Sequence, residues 1–140
     1  MARRFAALLA ALWWGSLTTI GFLVVPLLFA NLPTLAMAGG MAAKLFAAQT
    51  WVSMVCGLLL LLLSRSKQSQ TLYQWAQVAI IFITLGLLTA LLNQFAVAPR
   101  IVARENLRLW HSVGSVMYLV QWLCAGTVLW KLASNSPQPD

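Results

Sequence analysis

Residues 51–63, WVSMVCGLLLLLL, decide the fold of this 140-residue chain. This stretch contains no charged residue, and the leucines at 58–63 leave no polar face for an amphipathic helix. With the residues that precede it from Met41, it forms a predominantly apolar run that is longer than the about 20 residues a helix needs to cross a bilayer. The stretch therefore predicts a transmembrane helix.

The composition of the whole chain is that of an integral membrane protein. Apolar residues make up 61% of the chain and charged residues 8%, whereas about 25% of a soluble domain is charged. The mean hydropathy is +0.85. Backbone groups inside a bilayer must pair within the protein, which allows only helices or closed barrels, and long unbroken apolar runs favour helices. We predict an all-α, polytopic membrane four-helix bundle.

Four spans and one transmembrane domain, residues 1–140, are predicted from the apolar runs. The breaks between runs are Asn31-Leu32-Pro33 with the small residues up to Gly39-Gly40, then SRSKQSQT at 64–71 and PRIVAREN at 99–106. We expect Pro26 and Pro99 to mark helix ends, because the residue before a proline avoids the helical conformation. The predicted spans are residues 5–30, 41–63, 72–98 and 107–132, followed by a polar tail at 133–140.

The two halves of the chain share a short motif. FLVVP at 22–26 and FAVAP at 95–99 both read Phe-x-Val-x-Pro near the end of an odd-numbered span. One interpretation is a duplicated helical hairpin, with the repeats related by an axis along the membrane normal. The alternative is that proline simply ends a helix in both places.

Basic residues give a weak prediction of orientation. Arg3 and Arg4 precede the first span, and the first loop has no charge, so the positive-inside rule places both termini in the cytoplasm. This orientation leaves a basic loop, residues 100–108, on the outer side, where the rule does not expect it. Either the orientation is reversed or those arginines have a local role.

The densest polar face of the predicted bundle lies on the fourth span. On a helical period, four polar side chains form one stripe there, and Asn93 in the third span lies at the height of His111. Ionisable groups within spans are costly and usually face the bundle interior or a wet cavity, so this stripe is the candidate ligand or substrate site. The alternative is interfacial, because arginine, tyrosine and tryptophan are common near headgroups. The stripe contains Arg108, His111, Ser115 and Tyr118.

A set of catalytic residues is absent from the sequence. The two acidic residues, Glu105 and Asp140, fall in a loop and in the tail, so no carboxylate pair lies within the membrane. We predict no catalytic residue and no cofactor. The less favoured alternative is haem or copper, with His111 as the metal ligand, and haem held by two histidines would need a second chain. Cys56 and Cys124 are expected to be buried thiols.

The nine Lys and Arg residues predict contact with phospholipid. The sequence offers no soluble basic surface that could hold a duplex, so no nucleic-acid partner is expected. The lipid bilayer is the predicted partner, together with a homodimer or a larger membrane complex.

Four segments of the chain resemble a bacterial family of small four-span membrane proteins of unknown function, related to eukaryotic transmembrane protein 205. The resemblance covers nearly the whole chain, and the family pattern has leucine before the histidine where this chain has Trp110. The segments are WWGSLTTIGFLVVPLLFANLP at 13–33, AGGMAAKLFAAQTWV at 38–52, NQFAVAPRI at 93–101 and LWHSVGSVMYLV at 109–120.

This resemblance implies a polytopic protein of the bacterial inner membrane with no established enzyme activity. The eukaryotic relatives are linked with export of platinum drugs, which implies handling of small solutes or soft metals. We therefore predict a transporter-like or accessory membrane protein that handles a small solute, a lipid or a soft metal. The alternative is a haem- or copper-binding membrane redox protein that uses His111.

Overall fold

The structure, a computed structural model, describes residues 2–64 and 70–134. Four of its helices are long and apolar enough to cross a membrane, and no strand occurs in the described residues. The predicted all-α membrane bundle is therefore confirmed. We call the helices span 1 (Arg3–Asn31), span 2 (Leu35–Ser64), span 3 (Val78–Val102) and span 4 (Leu107–Ser134).

The spans form a square in which neighbours along the chain are antiparallel. Spans 1 and 3 each pack against both spans 2 and 4. Arg3 Nη2 donates to the carbonyl of Leu132 at 3.2 Å, which joins the start of span 1 to the end of span 4. We call this end of the bundle the Arg3 end, and the opposite end, which contains the turn at 103–106, the Arg104 end.

The centre of the square is filled by large side chains that meet glycines. Trp13 is fully buried, and a Cβ atom at Gly86 would lie 2.9 Å from its indole and 3.4 Å from Cys124 Cβ. A Cβ at Gly57 would lie 2.6 Å from Leu87 Cδ2. Small residues let membrane helices approach closely. Gly86 and Gly57 therefore set the spacing of the helices in the core.

Neither Pro26 nor Pro99 ends its helix, so this prediction is wrong. A π-helical segment precedes each proline, Thr19–Val24 in span 1 and Asn93–Val97 in span 3, and α-helix then continues to Asn31 and to Val102. A local π segment accommodates the hydrogen bond that proline cannot donate. Both halves of the chain thus have a π segment before a proline within a span, while the duplication itself stays a prediction.

Span 2 begins six residues before the predicted position, at Leu35 instead of Met41. Thr34 acts as the N-cap, because its Oγ1 accepts a hydrogen bond from the Met37 amide at 3.2 Å. Gly39 and Gly40, which were predicted to lie in the loop, are therefore helical. The cap at Thr34 outweighs the weak helix propensity of these two glycines.

The last connection is shorter than the predicted loop at 99–106. Helix extends to Val102, and the turn is confined to residues 103–106, in which Arg104 and Asn106 have φ angles of 56° and 36°. Of the predicted loop at 64–71, Ser64 and residues 70–71 are helical and the rest lies outside the described residues. The predicted tail is helical to Ser134, beyond which the chain also lies outside the described residues.

Candidate functional site

The predicted stripe on span 4 turns from the membrane surface into the bundle. Arg108, His111 and Ser115 are exposed at the Arg104 end, whereas Tyr118 is half-buried. Ser115 Oγ donates to the His111 carbonyl of its own helix at 2.8 Å. The outer part of the stripe is thus exposed at one end of the bundle, and its inner part joins the helices. A ligand role for these residues stays a prediction.

Asn93 contacts the backbone of span 4 below the level of His111. Its Nδ2 donates to the carbonyl of Gly114 at 3.3 Å, and the glycine leaves room for this approach, since a Cβ there would lie 3.2 Å from Asn93 Oδ1. The sequence places Asn93 at the height of His111, and in the structure its amide bonds to the backbone of Gly114, three residues further along span 4. Asn93 fastens span 3 to span 4.

Tyr118 joins three spans near the π segment of span 1. Its hydroxyl donates to the Leu17 carbonyl at 2.7 Å, and its ring covers Gly21. The ring also meets Phe46 of span 2 edge-on, with 5.2 Å between centroids. Trp122, one turn deeper, donates from Nε1 to Thr18 Oγ1 at 2.8 Å. These contacts make the inner part of the stripe a helix-joining element.

Substitution of Tyr118 by phenylalanine should destabilise the bundle by about 1 kcal/mol, because it removes one interhelical hydrogen bond and keeps the ring. Ser112→Ala is the matched control, since that exposed hydroxyl bonds only to Arg108 O in its own helix. The measurement is the free energy of unfolding of each variant, and of the wild type, in mixed micelles. Equal stability of Tyr118→Phe and the wild type would show that the bond adds nothing.

A buried polar cluster lies at mid-depth between spans 1, 2 and 4. Gln49 Nε2 donates to Ser16 Oγ at 2.9 Å and to Ser53 Oγ at 3.4 Å, and Gln121 Nε2 donates to Ser53 Oγ at 2.9 Å. Gln49, Ser53 and Gln121 are each at most 3% exposed. We call Ser16, Gln49, Ser53 and Gln121 the polar core cluster.

The sequence alone indicates three members of this cluster, whereas Gln121 was missed. Gln49 and Ser53 lie four residues apart and so share one face of span 2, and Ser16 lies in a small polar patch of span 1 with Gly15 and Thr19. Gln121 lies three residues after Tyr118, so the signal that could have found it was the continuation of the polar stripe at helical spacing.

The Arg104 end carries a group of exposed arginines, Arg100, Arg104 and Arg108, which we call the basic rim. The Arg100 guanidinium lies 4.3 Å from the centroid of the Trp110 ring, a cation–π contact. Glu105 is the only carboxylate in residues 99–111. The rim is therefore a positively charged surface at one end of the four spans.

Ligands for a metal are dispersed in the described part of the chain. Within residues 2–64 and 70–134, no group of three or more His, Cys, Asp and Glu side chains could hold a metal ion. Cys56 and Cys124 are buried free thiols. The haem or copper alternative at His111 stays a prediction.

A shallow groove of about 280 Å³ lies between spans 1 and 4, away from the basic rim. A Cβ at Gly126 would lie 2.9 Å from Trp14 Nε1, so glycine at this position lets the Trp14 ring pack directly against span 4. His111 is not part of the groove, which is lined by Trp14, Trp122, Leu123, Gly126, Thr127 and Trp130.

These features define the class of the protein as a polytopic membrane protein of four helices, with a polar core cluster and a basic rim. Over residues 8–109 the chain matches a family described as a domain of unknown function, DUF4149, and it belongs to that family. No curated protein and no solved structure matches the chain. The relationship to transmembrane protein 205 therefore stays a prediction.

Proposed function

We propose that this protein is a non-catalytic membrane protein that binds anionic phospholipid through its basic rim. The observation that supports this function most strongly is the group of exposed arginines, with one carboxylate among them, at the end of the bundle. The planar guanidinium group matches phosphate oxygens in a bidentate arrangement. Each basic residue at a membrane surface contributes about 1 kcal/mol of attraction to anionic lipid.

The stacking of Arg100 on Trp110 supports the same proposal. Tryptophan is enriched at the membrane–water interface, so Trp110 sets the depth at which the Arg100 guanidinium lies. An arginine held on a ring loses less side-chain freedom when it meets a phosphate than a free one does. Arg100 is thus positioned for a headgroup before the lipid binds.

The proposal includes the location and orientation predicted from the sequence. In the bacterial inner membrane with cytoplasmic termini, the basic rim faces the outer leaflet, where the positive-inside rule alone gives no reason for arginines. Lipid binding supplies that reason. An accessory role in a homodimer or larger complex fits a protein that organises lipid, and the solute and soft-metal roles implied by relatives of transmembrane protein 205 remain alternatives.

Removal of two rim arginines should weaken the binding of phosphatidylglycerol by roughly 10- to 30-fold, since each contributes about 1 kcal/mol. The variant carries both Arg104→Gln and Arg108→Gln in one chain, and it is compared with the wild type. Retention of phosphatidylglycerol relative to phosphatidylcholine by the purified protein, followed by native mass spectrometry, is the measurement. Arg100 stays unchanged, so that its contact with Trp110 is kept.

A control with the same change of charge separates a site from general attraction. Arg4→Gln combined with Lys131→Gln removes two positive charges from the Arg3 end, and this variant should keep the preference for phosphatidylglycerol at the basic rim. Equal losses in the two variants would contradict the proposal, as would an unchanged preference after removal of Arg104 and Arg108.

A further inference from the structure

Two polar atoms in the centre of the bundle have no hydrogen-bond partner. They are the indole Nε1 of Trp13, a donor, and Oε1 of Gln49, an acceptor, and both are buried. Trp13 is 0% exposed and Gln49 is 2% exposed. Buried polar groups in proteins are almost always paired with protein or with ordered water, and within a bilayer no bulk solvent can replace the missing partner.

The residues that carry the two unpaired atoms are connected through Ser16. Ser16 Oγ donates to the carbonyl of Trp13 at 3.0 Å and accepts from Gln49 Nε2 at 2.9 Å. The Gln49 amide therefore contacts the helical turn of span 1 that contains Trp13 and Ser16. Ser53, which contacts Gln49, also joins this layer to Gln121 of span 4.

The neighbouring protein groups leave one position of the Gln49 amide unpaired in either orientation. The hydroxyl of Ser53 donates to the backbone carbonyl of Gln49 at 2.9 Å, and that of Ser16 donates to the backbone carbonyl of Trp13, so both hydroxyls are already used as donors. Reversal of the amide would place its NH2 group, instead of its oxygen, at the unpaired position. A single partner for both atoms would have to accept from Trp13 Nε1 and pair with either group of the Gln49 amide.

We infer that the polar core cluster binds a water molecule at mid-membrane depth, which accepts a hydrogen bond from Trp13 Nε1 and donates one to Gln49 Oε1. Water is small, neutral and both donor and acceptor, and the partners are polar side chains of the kind that hold buried water. This bound water is a separate feature from the basic rim, so it stands whether or not the rim binds phospholipid.

The bound water extends the polar core cluster into a chain of hydrogen bonds. The chain runs from Trp13 through water to Gln49, then through Ser53 to Gln121, and it links spans 1, 2 and 4 without a charged group. Ordered water can bridge polar groups nearly as well as a direct bond. The core is thus a hydrated polar centre within an apolar bundle.

The indole N–H of Trp13 reports directly on this water. In the full 15N-labelled chain in lipid nanodiscs, a dipolar cross-peak should join the Trp13 Hε1 resonance to the water signal. The indole resonance that is lost in Trp13→Phe is that of Trp13. If this variant does not fold, sequential assignment of the wild-type chain identifies the resonance instead. Build-up of the cross-peak at short mixing times indicates direct contact with water and excludes magnetisation relayed through a neighbouring hydroxyl.

Trp51 is the matched control, because it lies two residues before Ser53 on span 2 but is 69% exposed on the outer face of the bundle. Its indole should give no water cross-peak. A cross-peak at Trp13 alone supports the bound water. The inference is overturned by absence of the Trp13 cross-peak or by equal cross-peaks at both indoles.

Discussion

Substitution of Trp13 by alanine should lower the free energy of unfolding by about 3 kcal/mol. Trp13 is the largest fully buried side chain, and its ring fills the space between span 1 and Gly86 of span 3. In a bilayer the unfolded helices remain in lipid, so the usual transfer of apolar surface from water contributes little. The cavity and the lost packing remain, which places the expected value at the lower end of the range for buried tryptophans.

The control is Trp51→Ala, which makes the same chemical change on the lipid-facing surface. We expect a change within about 0.5 kcal/mol there, because lipid tails replace the contacts of the ring. Titration with a denaturing detergent, followed by far-ultraviolet circular dichroism, gives both values. Equal effects of the two substitutions would show that the packing of Trp13 in the core does not stabilise the bundle more than Trp51 does on the surface.

Substitution of Gly86 by alanine should destabilise the bundle by about 1–3 kcal/mol, although alanine is the better helix former. The added methyl group would lie 2.9 Å from Trp13 and 3.4 Å from the Cβ of Cys124. A packed indole in the core has no free space to move into, so spans 1 and 4 must shift away from span 3.

Gly15→Ala isolates this packing effect from helix propensity. A Cβ at Gly15 meets no atom within 4 Å. The change should therefore leave stability unaltered or raise it by up to about 1 kcal/mol. Stabilities measured in the same micelles should separate the two variants. A stabilised Gly86→Ala protein would contradict the close approach of the helices.

The number of helices could be predicted from the sequence because crossing a bilayer sets a length that apolar runs must reach. Helix ends were predicted less well. Proline at positions 26 and 99 suggested an end, but the π segments before them let the helix continue. Gly39 and Gly40 suggested a loop, while the actual start depends on a single hydroxyl, that of Thr34.

The candidate site was predicted in part, because helical spacing gives the face of a helix but not the direction in which the face points. Arg108, His111, Ser115 and Tyr118 share a stripe, yet three of them are exposed and only Tyr118 reaches the interior. Gln121 was missed, although it lies in the most buried polar layer. The direction in which each face points depends on how all four spans pack together. A local sequence pattern carries no information on that packing.

The bonds between span 4 and span 1 have a consequence for the synthesis of the protein. Tyr118 and Trp122 bond to Leu17 and Thr18, partners that precede them by 101 and 104 residues. A nascent chain emerges from the ribosome in order, so the Thr18 hydroxyl can meet Trp122 only after span 4 has been made. Assembly of this bundle is therefore completed only by insertion of its last helix, and a chain released before Tyr118 cannot close the square.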